Sequence, residues 1–451
     1  MITMNQAVAA DTAWMLAAFA AVSLMVAGLA LFYGGMVSVR NTLNMAMMIF
    51  GALAVVGVLW IVVGYSAAFG NSLGRLGLLG DPFEYFGSSG LLTAPAGALP
   101  PAVVSAFQLL FAAITVALIA GAVADRMKFG SWLVFAGLWA VLVYFPVAHW
   151  VFAFDSKDGA VTGGWIANKL KAIDFAGGTA VHINAGIAGL ALVLVLGNRQ
   201  IFPNAPRPHS LPLTMLGAGM LFFGWFGFNG GSALSAGNSA SVAVLNTLAA
   251  SCAGICAWLA VEKVREGRAT SLGAGSGLIA ALVGITPACG AVSPLGALVV
   301  GAICGAVCCL TVSLKYRLKL DDSLDVVGIH LVGGILGTLL IGLLGDPAAP
   351  NAVAGLFYGG GLNQLWRQAV AVLAVLAYSF VVTWIIAKVM HMVRGIRIDR
   401  DSESEGLDVA VHGETAYVLD TFATATAPAQ PADAVGAAES LTAAAESASR
   451  N

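Results

Sequence analysis

Two histidines lie in matching runs of small and apolar residues. His182 belongs to Asp174-Phe-Ala-Gly-Gly-Thr-Ala-Val-His182-Ile-Asn184-Ala-Gly186-Ile-Ala-Gly189, and His330 belongs to Asp325-Val-Val-Gly-Ile-His330-Leu-Val-Gly-Gly334-Ile-Leu-Gly337. Each histidine is followed by glycine four and seven positions later. Glycines at helical spacing allow two helices to approach closely. The recurrence therefore indicates two copies of one element, whose histidines meet inside a membrane.

The chemistry of this pair depends on how deeply the imidazoles are buried. An ionisable side chain within a membrane span is costly and indicates a functional site by default. A neutral imidazole has one donor and one acceptor, so two in contact can pass a proton or hold a small polar molecule. The simpler alternative is that each histidine only bonds a neighbouring helix. A haem site is disfavoured because the glycine-packed surroundings leave little space, and a divalent-metal carrier because no carboxylate lies close within the span.

Four further side chains are candidates because of their position in the chain. Asp174 is placed to be an N-cap at the start of the His182 helix, with a second role of holding negative potential near an outer vestibule. Phe111 and Phe228 fall a few residues inside the predicted outer face, where an apolar plug would block hydrated ions, although packing is the commoner role. Ser232 follows Phe228 and could offer a hydroxyl to a cation that also meets aromatic faces.

The composition indicates an integral membrane protein. Of 451 residues, 59% are hydrophobic and 10% are charged, whereas soluble domains carry about a quarter charged residues. The net charge of −2 excludes a broad nucleic-acid footprint. The six cysteines lie in apolar stretches without a CxxC pair, which favours buried packing residues over metal sites or disulfides. We therefore expect neither a metal nor a cofactor.

Apolar segments of about 20 residues can cross the hydrocarbon core as helices. This length predicts an all-α membrane protein with eleven spans, at about 13–34, 45–69, 101–124, 131–154, 174–197, 211–232, 239–261, 270–288, 292–312, 324–344 and 366–392. Fifteen Lys and Arg residues lie in loops on the side of the C-terminus and five on the other side. The N-terminus is therefore predicted outside the cell membrane and the C-terminus in the cytoplasm. The turn Ala124-Asp125-Arg126-Met-Lys128 is expected to be solvated on the cytoplasmic side, with a local ion pair between its acidic and basic residues.

The matching motifs predict an inverted repeat of spans one to five and six to ten, followed by an eleventh helix. Five crossings per unit give the two units opposite orientations, a plan that places sites near the midplane. Phe32-Tyr-Gly-Gly35 of the first span also matches Phe228-Asn-Gly-Gly231 of the sixth. At 1.5 Å per residue, His182 lies about 12 Å from the outer face and His330 roughly 8–13 Å from the inner face. The two histidines are therefore expected to touch.

The predicted organisation follows from these spans. It comprises a short extracytoplasmic N-terminus, two five-helix repeats, an outer loop with the eleventh helix, a cytoplasmic regulatory tail and a disordered tail, at 1–12, 13–197, 198–344, 345–398, 399–424 and 425–451. The last segment is rich in Ala, Pro, Ser and Glu, which is typical of disorder.

Six motifs occur in order along nearly the whole chain, from about residue 10 to 420. They are Phe32-Tyr-Gly-Gly35, Phe111-Ala-Ala-Ile-Thr115, the run from Asp174 to Asn184, Gly224-Trp-Phe-Gly-Phe228-Asn-x-Gly-Ser232, Gly328-Ile-His330 and Glu405-Gly-Leu-Asp-x-x-x-His412-Gly-Glu-x-Ala-Tyr417. Together they resemble the ammonium transporter, methylammonium permease and Rhesus protein superfamily, most closely its bacterial ammonium transporters. The resemblance implies a non-enzymatic homotrimer with one narrow pore per subunit.

The resemblance also implies roles for individual residues. Ammonium recruitment at the outer mouth would involve the hydroxyl, aromatic and acidic side chains of Ser232, Phe107, Phe152, Trp225 and Asp174. A stacked gate would be formed by Phe111 and Phe228, and the apolar lumen, entered after deprotonation, would be lined by His182 and His330. The region from Gly406 to Tyr417 resembles the family's tail that couples subunits, and a cytoplasmic PII-type signalling protein is the implied partner.

One residue departs from the family's pattern, and one alternative function remains open. The family usually has tryptophan at the position of Phe152, and phenylalanine has a weaker face for a cation. Outer-site affinity is therefore where this chain is expected to differ. An ammonium sensor that signals through its cytoplasmic tail with little flux would share the same core motifs, and flux measurements would separate it from a transporter.

Overall fold

The computed structural model describes residues 4–95, 97–204 and 207–417. The chain divides into one unit over Met1–Glu414 and a second over Thr415–Asn451. The predicted disordered segment 425–451 lies outside the described residues, as does the regulatory tail beyond residue 417.

In the described part of the chain, ten helices are long and apolar enough to cross a membrane. With one shorter apolar helix they are α1 Met4–Met36, α2 Val39–Phe69, α3 Pro101–Val123, α4 Phe129–Phe152, α5 Gly178–Leu196, α6 Leu211–Gly231, α7 Asn238–Glu266, α8 Ser271–Ile285, α9 Pro294–Leu318, α10 Val327–Leu344 and α11 Asn363–Arg394. Each overlaps one predicted span, which confirms an all-helical membrane protein. Helix α8 has 15 residues, fewer than the about 20 that a span needs, so the count of eleven is not reached by length alone.

Four of these helices contain π-helical turns. They lie at Trp60–Gly64, Ala140–Tyr144, Gly178–Ile183 and Val327–Leu331. Single π turns inside helices are frequent at functional sites. The last two turns carry His182 and His330, so both histidines lie where the helix is wider than an α-helix.

Glycines allow the backbones of helices α1 and α6 to lie very close to each other. A Cβ atom on Gly28 of α1 would lie 3.0 Å from the Met220 Cβ atom of α6, and one on Gly227 of α6 would lie 2.7 Å from the carbonyl oxygen of Ala18. Larger residues at these positions would force the helices apart. The two helices that carry the matching Gly-Gly motifs therefore pack directly against each other.

The segment that follows α11 docks on the start of α2. It contains the short helices Arg400–Glu405 and Asp408–His412. The Leu407 N–H donates to the Asn41 side-chain oxygen over 2.8 Å, and the Asp408 carboxylate accepts from the Leu43 and Asn44 N–H groups at 3.1 and 2.7 Å. Asp408 thus satisfies backbone donors that every helix start leaves without partners. The part of the predicted tail up to Glu414 is ordered against the membrane-spanning helices.

Residues 124–127 of the predicted solvated turn are instead buried, whereas Lys128 is exposed as predicted. Arg126 is fully enclosed and Asp125 is 6% exposed. The Arg199 guanidinium bonds the Asp125 carboxylate at 2.8 Å and binds Asp321 through both its Nε and a terminal nitrogen, at 2.9 and 2.8 Å. Asn41 donates to Asp125 at 2.7 Å. The prediction failed because it treated the turn as a local ion pair, whereas the partners come from distant loops.

The cysteines are only partly buried as predicted. Four of the six cysteines are buried, but Cys252 and Cys256 are exposed, so the prediction of buried packing residues is wrong for these two. Among the described residues, no group of three or more His, Cys, Asp or Glu side chains is arranged to hold a metal ion.

The buried ion pairs lead to a test of stability. We expect Arg199→Leu to lower the free energy of unfolding by about 3–5 kcal/mol near neutral pH, because Asp125 and Asp321 would stay buried without their main cation. The measurement is an unfolding titration in mixed detergent micelles. Arg268→Leu, which removes an exposed arginine, is the control and should change the free energy by no more than about 0.5 kcal/mol.

The free energy of unfolding of Arg199→Leu should also depend on pH, and the pKa of Asp321 fixes the sign of that dependence. Burial alone would raise the pKa of Asp321, but hydrogen bonds and charge from Arg199, with the charge of Arg126, hold it below its ordinary value. In the native protein this contribution is complete above the unfolded pKa of about 4 and is lost only as pH falls through the lower native pKa. Without Arg199, burial raises the carboxylate pKa, so the variant should lose stability as pH rises from about 4 to 7. A deficit that does not grow with pH would contradict this account.

Candidate functional site

The two histidines are in direct contact, as the repeated motif and the depth estimate predict. Their Nδ1 atoms lie 3.2 Å apart, and their ring centroids are separated by 5.3 Å with an angle of 22° between planes. His182 is 1% exposed and His330 is 4% exposed. At 3.2 Å the two nitrogens share one hydrogen bond, so one Nδ1 carries a proton and the other accepts it.

Asp174 holds the beginning of the His182 helix. Its Oδ1 atom accepts from the Gly177 and Gly178 N–H groups at 2.7 and 2.6 Å, and its Oδ2 atom accepts from the Thr179 and Ala180 N–H groups at 2.7 and 3.2 Å. The Thr179 hydroxyl also donates to Oδ2. The predicted capping role is therefore present, and most of the carboxylate's acceptor capacity is used within the helix start.

Asp322 does the same for the His330 helix, and the sequence analysis did not single it out. Its carboxylate accepts from the N–H groups of Val326 and Val327 at 3.0 and 2.7 Å. Burial, followed by the charge of Asp325, raises the pKa of Asp322 to about 6. Each capping aspartate lies eight residues before its histidine. This equal spacing is a signal that could have identified Asp322.

Two stacked phenylalanines lie above the histidines. The Phe111 and Phe228 rings are 3.8 Å apart between centroids and 6° from parallel, and each is 1% exposed. Phe107 lies against Phe111 at 4.8 Å, and Phe152 meets Phe111 edge-on at 6.4 Å. Phe228 is also 6.4 Å from the His182 ring. The stacked pair therefore lies between the histidines and the region of Phe107 and Phe152.

A narrow cavity of about 20 Å³ lies beneath the stacked rings. Its lining is apolar apart from a few side chains and includes Met25, Leu29, Phe32, Tyr33, Ile114, Leu118, Val181, His182, Leu221, Trp225, Phe228, Ile279 and His330. About 10–15 Å³ is the least that holds one water molecule, so the space fits a molecule of that size and not a hydrated ion.

Trp225 belongs to this cavity, although the resemblance groups it with the outer mouth. Its indole stacks on His182 at 5.6 Å and 19°, and its Nε1 donates to the Thr286 hydroxyl over 2.8 Å. Thr286 is a further residue that the sequence analysis missed. Trp225 thus packs on the inner side of Phe228 and orients the His182 ring.

A wider cavity of about 600 Å³ opens on the other side of the stacked rings. Ser232, Phe152 and Asp174 line it, whereas Phe107 is fully buried behind them. The Ser232 hydroxyl donates to the Phe228 carbonyl oxygen over 2.8 Å. Its oxygen lone pairs therefore remain available to accept hydrogen bonds from a cation.

Comparison with known sequences is consistent over the whole membrane region. The profile of the Ammonium Transporter Family matches residues 13–417. Over 431 residues, the chain is 55% identical to a Mycobacterium tuberculosis protein named "Ammonium transporter", with 90% of each chain covered. It is 47% identical to a Corynebacterium glutamicum protein of the same name, with 91% of this chain and 90% of that one covered.

Solved structures give the same result. Saccharomyces cerevisiae Mep2 is similar with a TM-score of 0.78 and 35% identity, covering 87% of this chain and 90% of that one. A structure entitled "Sensor Amt Protein" is similar with a TM-score of 0.82 and 26% identity, covering 91% of this chain and 100% of that one.

The hydrogen bonds of Asp174 generate a direct test. A lost N-cap costs about 0.5–2 kcal/mol. We expect Asp174→Ala to lower the free energy of unfolding by at least this much, because four backbone N–H groups in an apolar interior lose their acceptor. Thermal unfolding of the purified protein in detergent would measure this. Asp158→Ala is the matched control, because Asp158 bonds the Ser156 hydroxyl and the Ala160 N–H at an exposed site. Equal unfolding temperatures for the two variants would show that Asp174 does not hold the helix start.

Proposed function

The chain belongs to the ammonium transporter family, and we propose that it recruits ammonium outside, removes a proton at the phenylalanine gate and passes ammonia along the twin histidines. Recruitment is assigned to Ser232 with Phe107, Phe152 and Asp174, and the gate to Phe111 and Phe228. The lumen is assigned to His182 and His330. Trp225 is assigned to the lumen side, where it orients His182.

The observation that carries this proposal is the direct histidine contact inside an apolar cavity of about 20 Å³. Moving an intact ion into such a space carries a penalty of several kcal/mol or more. Ammonium and potassium have the same charge and similar size, but only ammonium can lose a proton and continue as a neutral molecule. A dry lumen therefore excludes potassium and admits ammonia.

The contact also defines what the histidines offer to ammonia. When one Nδ1 donates and the other accepts, the first ring has an acceptor at Nε2 and the second ring has a donor there. The Nε2 atom of His182 is buried and has no partner among the described residues. Ammonia can donate to one Nε2 and accept from the other, which replaces part of its lost hydration.

The membrane arrangement is a further part of the proposal. We count α8 with the buried turn that follows it as a crossing, which gives eleven spans, an outer N-terminus and a cytoplasmic C-terminus. Packing of α1 on α6 and the two aspartates eight residues before the histidines support an inverted repeat of spans one to five and six to ten. We also propose a homotrimer in the cell membrane and a PII-type protein as its cytoplasmic partner.

A second candidate function is an ammonium sensor with little flux. It is favoured by the similarity to the structure entitled "Sensor Amt Protein" and by the ordered segment that docks on α2. A sensor and a transporter share recruitment and differ in whether ammonium binding is followed by flux.

Removal of the two imidazoles tests the mechanism. We expect His182→Ala combined with His330→Ala to abolish selective ammonium flux, because both polar partners of ammonia are lost from the dry lumen. The measurement is current and internal pH in proteoliposomes after an ammonium jump, with a potassium jump as the comparison. His391→Ala removes an exposed histidine and should behave like the unsubstituted protein.

The outcomes of this experiment separate the candidates. An ammonium current that potassium does not reproduce indicates deprotonation with a proton relay. A change of internal pH without current indicates electroneutral passage of ammonia. Neither signal in the unsubstituted protein would favour the sensor, and undiminished, potassium-excluding flux in the double variant would refute the histidine mechanism.

The recruitment site has its own test. We expect Phe152→Trp to lower the ammonium concentration for half-maximal flux by about two- to fivefold, since tryptophan gains about 0.5–1 kcal/mol of cation–π attraction. The maximal flux should change little because the gate and lumen are untouched. Phe357→Trp, at an exposed position outside the outer cavity, is the control. An unchanged half-maximal concentration for Phe152→Trp would remove Phe152 from the recruitment site.

A further inference from the structure

Helix α11 has a polar edge inside the protein. Its buried side chains include Gln364, Gln368, Ser379 and Thr383, each at most 4% exposed. A polar group in a membrane span is unfavourable unless it is hydrogen-bonded. These four side chains therefore have to make specific bonds to neighbouring helices, and the bonds show what α11 holds in place.

Gln368 uses all the hydrogen-bonding capacity of its amide. Its Oε1 accepts from the Ile173 N–H at 2.7 Å and from Gln364 at 3.0 Å. Its Nε2 donates to the carbonyl oxygens of Ile173 at 2.7 Å and Thr338 at 3.1 Å. Ile173 directly precedes the capping residue Asp174, and Thr338 lies in α10, eight residues after His330. Gln368 thus joins the backbone that leads into the His182 helix to the His330 helix.

Ser379 makes the second connection, below His182. Its hydroxyl donates to the Asn184 Oδ1 atom over 2.6 Å, and the Asn184 Nδ2 donates to the Ala180 carbonyl oxygen over 3.1 Å. Ser379 and Asn184 are both fully buried. Asn184 lies two residues after His182, so the histidine is enclosed between the two connections to α11.

The two connections have the same register. The sequence separation is 195 residues both for the pair Ile173 and Gln368 and for the pair Asn184 and Ser379. The segment from Ile173 to Asn184 therefore has the same number of residues as the segment of α11 from Gln368 to Ser379. On α11 that length is continuous α-helix and spans about 16 Å at 1.5 Å per residue. The segment from Ile173 to Asn184 instead contains the turn that Asp174 caps and the π-helical turn Gly178–Ile183.

We propose that Gln368 and Ser379 are positioning residues that fix the length of the π-helical turn and thereby hold His182 against His330. A regular α-helix sets its own length through its hydrogen bonds, whereas a capped turn followed by a single π turn can be longer or shorter. The straight helix α11 supplies the missing constraint. The inference rests on the proposed function for its transport consequence, but the geometric claim stands by itself.

The test compares substitutions along one edge of α11. Gln368→Leu and Ser379→Ala remove the two connections. Gln368→Glu keeps the side-chain shape but loses both donated bonds, and it serves if the leucine variant does not fold. Ser379→Thr keeps the hydroxyl. Thr383→Val is the matched control, because Thr383 is buried on the same helix and accepts from Trp139 of α4 over 2.9 Å.

Two readouts are measured on each full-length variant in liposomes. The first is the imidazole ¹⁵N spectrum, with His182 identified by comparison with His182→Gln, which reports the Nδ1 contact without any transport. The second is the ratio of ammonium flux to potassium flux. We expect Gln368→Leu, Gln368→Glu and Ser379→Ala to shift the His182 resonances and to lower the flux ratio by up to about 100-fold, the scale that a misplacement of about 1 Å can reach. Ser379→Thr and Thr383→Val should leave both readouts unchanged.

The two readouts keep this inference separate from the proposed function. Absent flux in the unsubstituted protein would contradict the proposed transport, and the ¹⁵N spectra would still decide the positioning. Unshifted His182 resonances in the Gln368 and Ser379 variants would overturn the inference, as would an equal shift in Thr383→Val.

Discussion

The structure depends on satisfying backbone N–H groups where two helices begin among apolar side chains. A helix start leaves four such groups without intrahelical acceptors, and water is not available to bond them at depth. Asp174 and Asp322 supply the acceptors, each with one carboxylate that bonds several successive N–H groups. Because each histidine follows its aspartate by eight residues, the caps place the two imidazoles at matching positions after their helix starts. In the inference above, the bonds to α11 then fix the remaining length before His182.

The buried ion pairs of Arg199 extend this arrangement towards the segment that docks on α2. Asp321 is held by Arg199 and is the neighbour of the cap Asp322. Arg199 also bonds Asp125, which accepts from Asn41, and Asn41 accepts from the Leu407 N–H of the docked segment. A continuous set of hydrogen bonds therefore joins that segment to the start of the His330 helix. Such a path transmits a signal only if its members have two arrangements, and the buried bidentate pair at Arg199 favours one.

The sequence predicted those parts of the site that leave a repeated or local pattern. The recurring His and Gly positions predicted two helices whose histidines touch. The burial of Asp125 and Arg126 had no such signal, because their partners Arg199 and Asp321 lie 74 and 195 or more residues away in the chain. The π turns and the bonds of Gln368 also could not be predicted from the sequence. A polar residue in an apolar span does not indicate which distant backbone group it bonds.

The histidine contact makes the two imidazoles chemically different, whereas the repeat by itself would make them equivalent. Two identical rings related by an inverted repeat would be equivalent, but one hydrogen bond between two Nδ1 atoms requires that one ring donates and the other accepts. The two Nε2 atoms then differ, one being a donor and the other an acceptor. Transfer of the shared proton to the other Nδ1 must be followed by changes at both Nε2 positions before the neutral pair is restored. In the proposed mechanism, a proton given up by ammonium at one end and taken by the cytoplasm at the other would make those changes. The pair that results is neutral but has its donor and acceptor exchanged, so both rings must return to their first tautomers before the first Nε2 can accept a proton from the next ammonium ion.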